Sequence, residues 1–370
     1  PRFDHDPTTK ESKGLLIEES RTNIAPYSHD LSQYGGSNIT KTANNAVAPD
    51  GTTTAAKIEH GGSGTSYLDH INTSINAQNA GNYTYSVWLK APDDQPDGYY
   101  GCRIAVLHST GGNVEPTVSL NKTWTRYSVT KNFGASDGGN LRVHLVMFRA
   151  SPGSTYDGKV IPSYVWAWGA QIEAGAFPTS YIPTGSAAVT RGADLLRIMD
   201  DEFKDIFGDE FKEFTIVADY DNSDIVDGNT QSLIDFWGES TGYTDRIEMF
   251  KDSNSPYHIE VRGIGNNNGL FANGVANASS KAATQRFATS WSVDYTTTNA
   301  ANRRWAFSFS GEAVDVIGDA VGTDIPALTR LGLGNTPTRL DLTPGKFHFK
   351  RFTFYPKAVS DQQLINLSTP

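Results

Sequence analysis

The chain has 370 residues, of which 38% are hydrophobic, and its 31 Lys and Arg against 41 Asp and Glu give a net charge of −10. Its length exceeds the usual size of a single domain, so we expect two domains. The basic residues are scattered, which argues against binding to nucleic acid or to an anionic membrane surface. The sequence has no apolar run of about 18 residues, so membrane insertion is not expected, and no secretory leader is expected at Pro1.

The composition favours strands over helices. The chain contains 35 Gly, 18 Phe and 16 Tyr, which are typical of turns and strands. Cys102 is the single cysteine, so neither an internal disulfide nor a cysteine-based metal cluster can form. Its apolar setting in "YYGCRIAVL" predicts a buried structural thiol rather than a nucleophile.

The first half of the chain has the period of β-strands. The stretch "NYTYSVWLKA" places on one face Tyr83, Tyr85, Val87 and Leu89, and similar stretches follow to about residue 171. They recur roughly every ten residues and are separated by Gly, Asn, Asp and Pro, which supply turn geometry. Short strands at this spacing predict a sandwich or jelly roll.

The second half begins differently and then returns to strands. "DDEFKDIFGDEFKEF" has apolar residues at near-helical spacing, which predicts a short helical segment near 200–212. Ser360 and Gln363 form a capping-box pair that predicts a helix near 360–367. The segments between them alternate like strands. The predicted fold class is therefore all-β, with two tandem β-sandwich (jelly-roll) domains and two short helical segments.

Four phrases carry a resemblance to a known family. They are "PRFDHDPTTKESKGLLIEESRTNIAPYS", "APDGTTTAAKI", "WGAQIEAGAFPTSYIPT" with the following "VTRGAD", and "KRFTFYPKAVSDQQLINLS". In this order they resemble bacteriophage virion proteins, especially tail-fibre and tail-appendage proteins. The resemblance implies a carbohydrate-binding-module-like jelly roll followed by a concanavalin A-like or laminin G-like sandwich. It also implies location on the phage particle, other virion proteins and host-surface glycans as partners, and a homotrimer.

The resemblance and the prolines together give a predicted division of the chain. Residues 1–30 are expected to form an extended N-terminal arm, and residues 31–176 the first sandwich. Residues 177–195 contain Pro178 and Pro183 and are interpreted as an interdomain linker, because proline cannot donate to a β-ladder. Residues 196–370 are expected to form the second sandwich.

One stretch approaches a catalytic pattern. Concanavalin A-like glycanases place a nucleophile, a supporting Asp and an acid/base Glu on alternate residues of one strand, so that the carboxylates share a face. In "LIDFWGE", Asp235 and Glu239 fit the last two positions, but Leu233 occupies the nucleophile position. Leucine cannot form a glycosyl ester, so we predict that the protein is not an enzyme.

The sequence contains one candidate for a metal site. Asp219, Asp221 and Asp224 lie close together in "VADYDNSDIVDG" and could offer oxygens to Ca²⁺. The spacing fails the EF-hand template, because Asp224 stands where the glycine belongs. A solvated turn rich in Asp and Asn is the alternative interpretation, and no other cofactor is expected.

Aromatic residues are the candidates for carbohydrate binding. Trp166 and Trp168 share a strand face because they are two residues apart, so they could form a platform for a sugar ring. The alternative is that both rings fill a core. Tyr243, Asp245 and Tyr257 lie in two polar turns and are surface candidates for the same role.

Three functions remain open on these grounds. The first is a non-enzymatic phage tail fibre or appendage that displays lectin-like sandwiches towards host glycans. The second is a purely architectural virion component, such as a capsid decoration or an adaptor. The third is a glycan depolymerase, which Leu233 argues against.

Overall fold

The computed structural model describes residues 2–6, 9–72, 80–108, 112–134, 141–208, 213–221, 231–238, 246–251, 258–264, 270–277, 284–293, 303–317, 328–334 and 347–370. Within these ranges the regular structure consists of 27 strands, two short α-helices and one 3₁₀ turn. The all-β fold class predicted from the sequence is confirmed.

The strands and helices fall into three groups along the chain. The first two strands are β1 (Arg2–His5) and β2 (Ser12–Ile17). The next group is β3 (Arg21–Asn23), the 3₁₀ turn Leu31–Gln33, β4 (Gly35–Ser37), β5 (Ile39–Ala46), β6 (Ala55–His60), β7 (Ser66–Asn72), β8 (Gly81–Lys90), β9 (Gly101–His108), β10 (Thr117–Ser119), β11 (Thr125–Phe133), β12 (Leu141–Phe148), β13 (Thr155–Tyr156), β14 (Lys159–Val160), β15 (Tyr164–Ala174) and β16 (Val189–Arg191). The last group is β17 (Leu196–Met199), α1 (Asp200–Phe207), β18 (Glu213–Asp221), β19 (Gln231–Trp237), β20 (Arg246–Lys251), β21 (His258–Ile264), β22 (Leu270–Asn277), β23 (Thr284–Val293), β24 (Arg303–Phe309), β25 (Asp315–Ile317), β26 (Arg330–Leu333), β27 (Phe347–Tyr355) and α2 (Asp361–Ser368).

The chain divides into two compact units, one of them built from two separate pieces. Residues 21–191 form the first, which we call the inserted unit. Residues 1–20 together with 192–370 form the second, which we call the split unit. The chain therefore leaves the split unit after Ser20 and returns to it at Gly192.

This division differs from the predicted one at the N-terminus. In the stretch predicted as an extended arm, β1 and β2 pair as antiparallel neighbours, and β2 pairs with β27 of the split unit. His348 on β27 is buried, and its ring nitrogen Nε2 lies 2.8 Å from the Asp4 carboxylate on β1. Residues 21–30, the remainder of the predicted arm, belong to the inserted unit.

The inserted unit is a β-sandwich. Its front sheet has the strand order β11-β8-β15-β6-β5, and its back sheet has the order β10-β9-β12-β7-β4. One core cluster fills the space between them and draws residues from both sheets, including Tyr85, Val87, Ile104 and Val143. Cys102 is part of this core as predicted, and burial raises the pKa of its thiol to about 12.

The central strands of the front sheet show how the period-two pattern produces the two faces. On β8, Tyr83, Tyr85, Val87 and Leu89 point into the core, as the sequence predicts. On β15 the alternation is interrupted by a bulge next to Gly169, whose φ is +70°. The bulge shifts the inward-facing positions from odd to even residue numbers, beginning at Ala170. β15 therefore contributes core residues on both sides of the bulge.

The split unit is a second sandwich. Its sheets have the orders β1-β2-β27-β18-β23-β24-β25 and β17-β26-β19-β20-β21-β22 in the described residues. A Phe-rich core joins them, with Phe214 and Phe307 from the first sheet and Phe236 from the second.

The two helices lie where the sequence predicted them, in this unit. α1 buries Phe203 and Phe207, which are one turn apart, in the sandwich core. α2 begins at the capping box of Ser360 and Gln363, and its buried Leu364 packs on the outward side of the first sheet. In the described part of the chain no helix is long and apolar enough to cross a membrane.

Candidate functional site

The outward face of the front sheet carries a row of aromatic side chains on β15. Val165 and Ala167 point into the core, so Tyr164, Trp166 and Trp168 point the other way. The three rings differ in exposure, because only Trp168 is buried. The row therefore has a buried end and an open end.

Trp168 forms the buried end. Its side chain is only 2% exposed and packs against Trp88 and Tyr181, with ring centroids 5.4 and 4.5 Å away. Its indole N–H donates to Thr54 Oγ1 at 3.0 Å. The predicted platform of Trp166 and Trp168 is thus corrected, because Trp168 is covered and cannot offer a ring face to a ligand.

Part of the cover over Trp168 comes from Tyr181, which lies in residues 177–184, a segment that we call the strap. Gln171 and Glu173 follow Trp168 on the same face of β15, and both are buried beneath the strap. The Gln171 amide donates to the carbonyl groups of Thr179 and Ser180 at 3.3 and 3.1 Å and accepts from the backbone N–H of Ile182 at 2.7 Å. The strap is therefore fixed to the sheet by side chains that lie below it.

The strap corrects the interpretation of 177–195 as a linker. Its residues belong to the inserted unit and not to a free connection. After it, β16 pairs with β3, so the first and last strands of the inserted unit lie side by side. In the sequence, the boundary between the inserted unit and the split unit lies between Arg191 and Gly192. This is inside the predicted linker but well after Pro178.

The open end of the row is formed by Tyr164 and Trp166, which remain half-buried. Their ring centroids are 5.0 Å apart with planes at 82°. The Trp166 indole N–H donates to Asn45 Oδ1 on β5 at 3.0 Å, which fixes the orientation of the ring. Trp166 is thus held in place while part of its surface faces solvent.

Charged side chains from the neighbouring strands surround the two rings. In the strand register Trp166 lies between Lys57 on β6 and Lys90 on β8. The Lys57 ammonium lies 4.3 Å from the centroid of Tyr164, and that of Lys90 lies 5.1 Å from the centroid of Trp166. Lys57 also pairs with Glu59 at 2.8 Å. We call Tyr164, Trp166, Asn45, Lys57, Glu59 and Lys90 the aromatic patch.

The aromatic patch has the chemistry of a saccharide-binding surface. The aromatic rings offer apolar faces for the C–H side of a pyranose, while the amide, carboxylate and ammonium groups can donate to or accept from hydroxyl groups. Sequence reasoning identified Trp166 and missed the other members. Tyr164 could have been found from the same alternation, but the members on β5, β6 and β8 depend on strand pairing, which alternation does not reveal.

The remaining predicted binding residues cannot be placed. Tyr243, Asp245 and Tyr257 all lie outside the described residues. Their assignment to carbohydrate binding stays a prediction.

The predicted calcium site contains a residue that is already engaged. The Arg286 guanidinium donates to both carboxylate oxygens of Asp219, at 2.5 and 2.8 Å, and only 10% of the Asp219 side chain is exposed. Asp221 follows at the end of β18, and Asp224 lies outside the described residues. In the described ranges no three His, Cys, Asp or Glu side chains are grouped to hold a metal.

The near-catalytic stretch is part of the core of the split unit. Leu233 is buried in the Phe-rich core, so it occupies a packing position. Asp235 is fully buried on β19, and Glu239 lies outside the described residues. A carboxylate buried in this way does not reach a polysaccharide in solvent.

Comparison with known proteins finds no related sequence family and only low structural similarity. No protein-family model and no curated protein matches the chain. Among solved structures, the CBM40 module of the Ruminococcus gnavus IT-sialidase bound to α2,3-sialyllactose aligns with 48% of this chain and 97% of its own, at 16% identity and a TM-score of 0.34.

Two further structures align at similar levels. A variant of the NanB sialidase of Streptococcus pneumoniae aligns at 17% identity and a TM-score of 0.34, over 47% of this chain and 27% of its own. The heptameric SAP-like pentraxin of Limulus polyphemus aligns at 11% identity and a TM-score of 0.31, over 43% of this chain and 70% of its own. At these TM-scores the likeness identifies neither a family nor a ligand for this chain.

Proposed function

We propose that this protein is a non-enzymatic component of a bacteriophage particle, a tail fibre or comparable appendage, that attaches to a host-surface glycan through the aromatic patch. The virion part of the proposal rests on the four sequence phrases that resemble tail-fibre proteins. The glycan-binding part rests on the patch.

The observation that carries the glycan-binding proposal is the exposure of Trp166 and Tyr164. Trp168 shows that this face of β15 can be fully covered, since its side chain is only 2% exposed. The strap does not extend over the next two rings, which stay half-buried. Large rings held in a fixed orientation at the surface lose little conformational entropy on binding, which favours their use in recognition.

The lysines over the rings do not prevent stacking by a sugar. An exposed cation–π contact contributes about 0.5–1 kcal/mol, and an exposed ion pair contributes a similar amount. A pyranose can displace such an ammonium group, which then becomes a donor for the sugar hydroxyls. Each lysine has an acidic neighbour, Glu59 for Lys57 and Asp93 for Lys90. With Asp93 beside the patch, the charges are therefore balanced, which favours a neutral saccharide.

The proposal extends to a homotrimer. β5 is an edge strand of the front sheet, and the side chains of residues 40–45 are exposed. An exposed edge offers unpaired backbone groups to another chain, and symmetric assembly would place equivalent patches on one particle. The molar mass from size-exclusion chromatography with light scattering tests this, and a monomer at micromolar concentration would contradict it.

The function is tested by a glycan array and a host-cell binding assay on the purified full chain. Any polysaccharide that binds is then incubated with the protein and examined by mass spectrometry. Binding without cleavage is the expected result. Shortened products would contradict the non-enzymatic proposal. If the protein binds neither glycans nor cells, the result would favour the purely architectural virion role instead.

A further inference from the structure

The outward face of the back sheet carries a second group of polar side chains, away from the aromatic patch. Cys102 and Ile104 on β9 point into the core, as do Leu141 and Val143 on β12. Arg103 therefore points outwards, and the same alternation places outwards Arg142, His144, and Asp69 and Tyr67 on β7. Arg149 follows β12, and Glu115 precedes β10. We call these seven residues the arginine face.

Two ion-paired groups organise this face. Arg103 and Arg149 both donate to the same oxygen of Glu115, Arg103 at 3.1 Å. Arg142 donates twice to one Asp69 oxygen, at 2.9 and 2.6 Å. Burial opposes ionisation of Glu115, but the hydrogen bonds from the two arginines lower its pKa below the usual value.

The positive charges of this face exceed the negative ones. Three guanidinium groups meet two carboxylates in the described residues of the face. The chain as a whole carries a net charge of −10, so a local positive excess is unusual for this protein. A guanidinium group has five N–H donors, and the Nε of Arg149 is buried without a hydrogen-bond partner among the described residues.

His144 lies among these charges without balancing them. Its side chain is 6% exposed, and neither ring nitrogen has a hydrogen-bond partner in the described structure. The ring stacks on Tyr67, with centroids 4.6 Å apart and planes at 13°. Burial, and then the nearby Arg142, lower the pKa of His144 to about 4. The imidazole is therefore neutral at pH 7.

Aromatic surface lies beside the arginines. The Arg142 guanidinium lies 5.4 Å from the centroid of Tyr67, and that of Arg103 lies 4.9 Å from the centroid of Tyr156. Both tyrosine rings are half-buried. Guanidinium groups bind planar oxyanions through paired N–H donors, and tyrosine rings can contact the apolar side of a sugar.

We propose that the arginine face binds a saccharide that carries an oxyanion group, a carboxylate or a sulfate, with Arg149 and Arg142 as its principal donors. The bound anion supplies the missing negative charge, and Arg149 can reach it because 35% of its side chain is exposed. The site lies on the opposite sheet of the inserted unit from the aromatic patch, so it does not depend on the proposed function of that patch.

The proposal predicts coupling to His144. The groups that face its ring are Arg142 and Arg149, which oppose protonation, and Asp69 and Glu115, which favour it. A bound oxyanion adds negative charge, so it raises the pKa of His144, and by linkage the anion binds more tightly as the pH falls towards that pKa.

The test uses three tetrasaccharides with the full chain: tetragalacturonate, a sulfated glycosaminoglycan tetrasaccharide and neutral maltotetraose. Binding is measured by calorimetry at low and moderate salt, and the His144 ring is followed by NMR. Arg149→Gln removes the donor, and Lys122→Gln is the control, since it makes the same charge change at an exposed lysine of the same unit. Trp166→Ala separates this site from the aromatic patch.

Binding of either acidic tetrasaccharide, weakened at least about tenfold by Arg149→Gln and by added salt, is the expected result. Lys122→Gln and Trp166→Ala should leave it unchanged. Which acidic probe binds shows whether the oxyanion is a carboxylate or a sulfate. Equal binding of maltotetraose by the Trp166→Ala protein, no binding of either acid, or full binding by Arg149→Gln would overturn the proposal. If Arg149→Gln does not fold, a His144 pKa that fails to rise with ligand in the unaltered protein would overturn it instead.

Discussion

The carboxylate of Glu173 accepts hydrogen bonds from both the backbone N–H and the hydroxyl group of Thr179, with the N–H 3.0 Å away. Glu173 is fully buried, as is Gln171 two residues before it. These two side chains hold the strap against the front sheet, where its Tyr181 packs on Trp168. The strap therefore helps to bury Trp168, which lies next to the open aromatic patch on the same strand.

Glu173→Ala should loosen the strap. The change leaves the Thr179 N–H buried without its acceptor, which costs about 1–3 kcal/mol. Hydrogen–deuterium exchange should show faster exchange across residues 177–184, whereas the exposed Asp93→Ala should leave it unchanged. Unaltered protection of the strap in Glu173→Ala would show that other contacts hold it.

Gly169→Ala should destabilise the inserted unit. The backbone φ of +70° disfavours a side chain, and an added Cβ would lie 2.6 Å from the Trp88 ring. The combined strain and overpacking are expected to cost about 2–4 kcal/mol. Gly185→Ala is the matched control, because its added Cβ meets nothing within 4 Å. Urea unfolding followed by tryptophan fluorescence would measure both variants, and equal stabilities would contradict the assignment of the bulge.

The stability of the protein should depend on His144 in mildly acidic solution. The pKa of histidine is about 6.5 in an unfolded chain, and that of His144 in the folded protein is about 4. Between these values the unfolded state binds more protons, so the free energy of unfolding falls as the pH falls, by roughly 1–3 kcal/mol. Below about pH 4 this contribution changes no further.

His144→Phe tests this dependence. Phenylalanine keeps the stacking on Tyr67 and removes the titrating ring, so urea unfolding between about pH 7 and pH 4 should show a shallower loss of stability. The exposed His5→Phe is the control. A slope unchanged by His144→Phe would contradict the burial of a neutral imidazole.

The pairing of Asp219 with Arg286 bears on the calcium prediction. Because the guanidinium group occupies both carboxylate oxygens, millimolar Ca²⁺ should not raise the melting temperature of the protein. Asp219→Asn should lower the free energy of unfolding by about 1–3 kcal/mol, with or without Ca²⁺. A Ca²⁺-dependent rise that Asp219→Asn abolishes would restore the predicted site.

Much of the fold follows from the alternation of apolar residues. The core face of β8 and both helices lie where the sequence predicts them, because side-chain period and capping residues are local properties. The strand β27 shows the limit of this reasoning. Phe349 and Phe352 are three residues apart, so strict alternation would place them on opposite faces, yet both contact the same core. A bulge in β27, opposite Asp219 and Tyr220, shifts the alternation between Phe349 and Phe352.

The division of the chain and the extent of the site could not be predicted for a related reason. The prolines in "FPTSYIPT" exclude ladder donation but do not reveal that Gln171 and Glu173 bind this segment from below. Likewise, the pairing of β2 with β27 joins residues more than 300 positions apart, and alternation carries no information about partners. Trp166 could be found from its own strand, while Asn45 and Lys57 required the register.

The most direct test of the account is the affinity of Trp166→Ala for a neutral saccharide that binds the unaltered protein, measured by isothermal titration calorimetry. Tyr99→Ala, which removes another exposed aromatic ring, is the control. We expect Trp166→Ala to weaken binding at least about tenfold, equivalent to about 1.4 kcal/mol, and Tyr99→Ala to leave it unchanged. Full affinity in a folded Trp166→Ala protein would contradict the assignment of glycan binding to the aromatic patch.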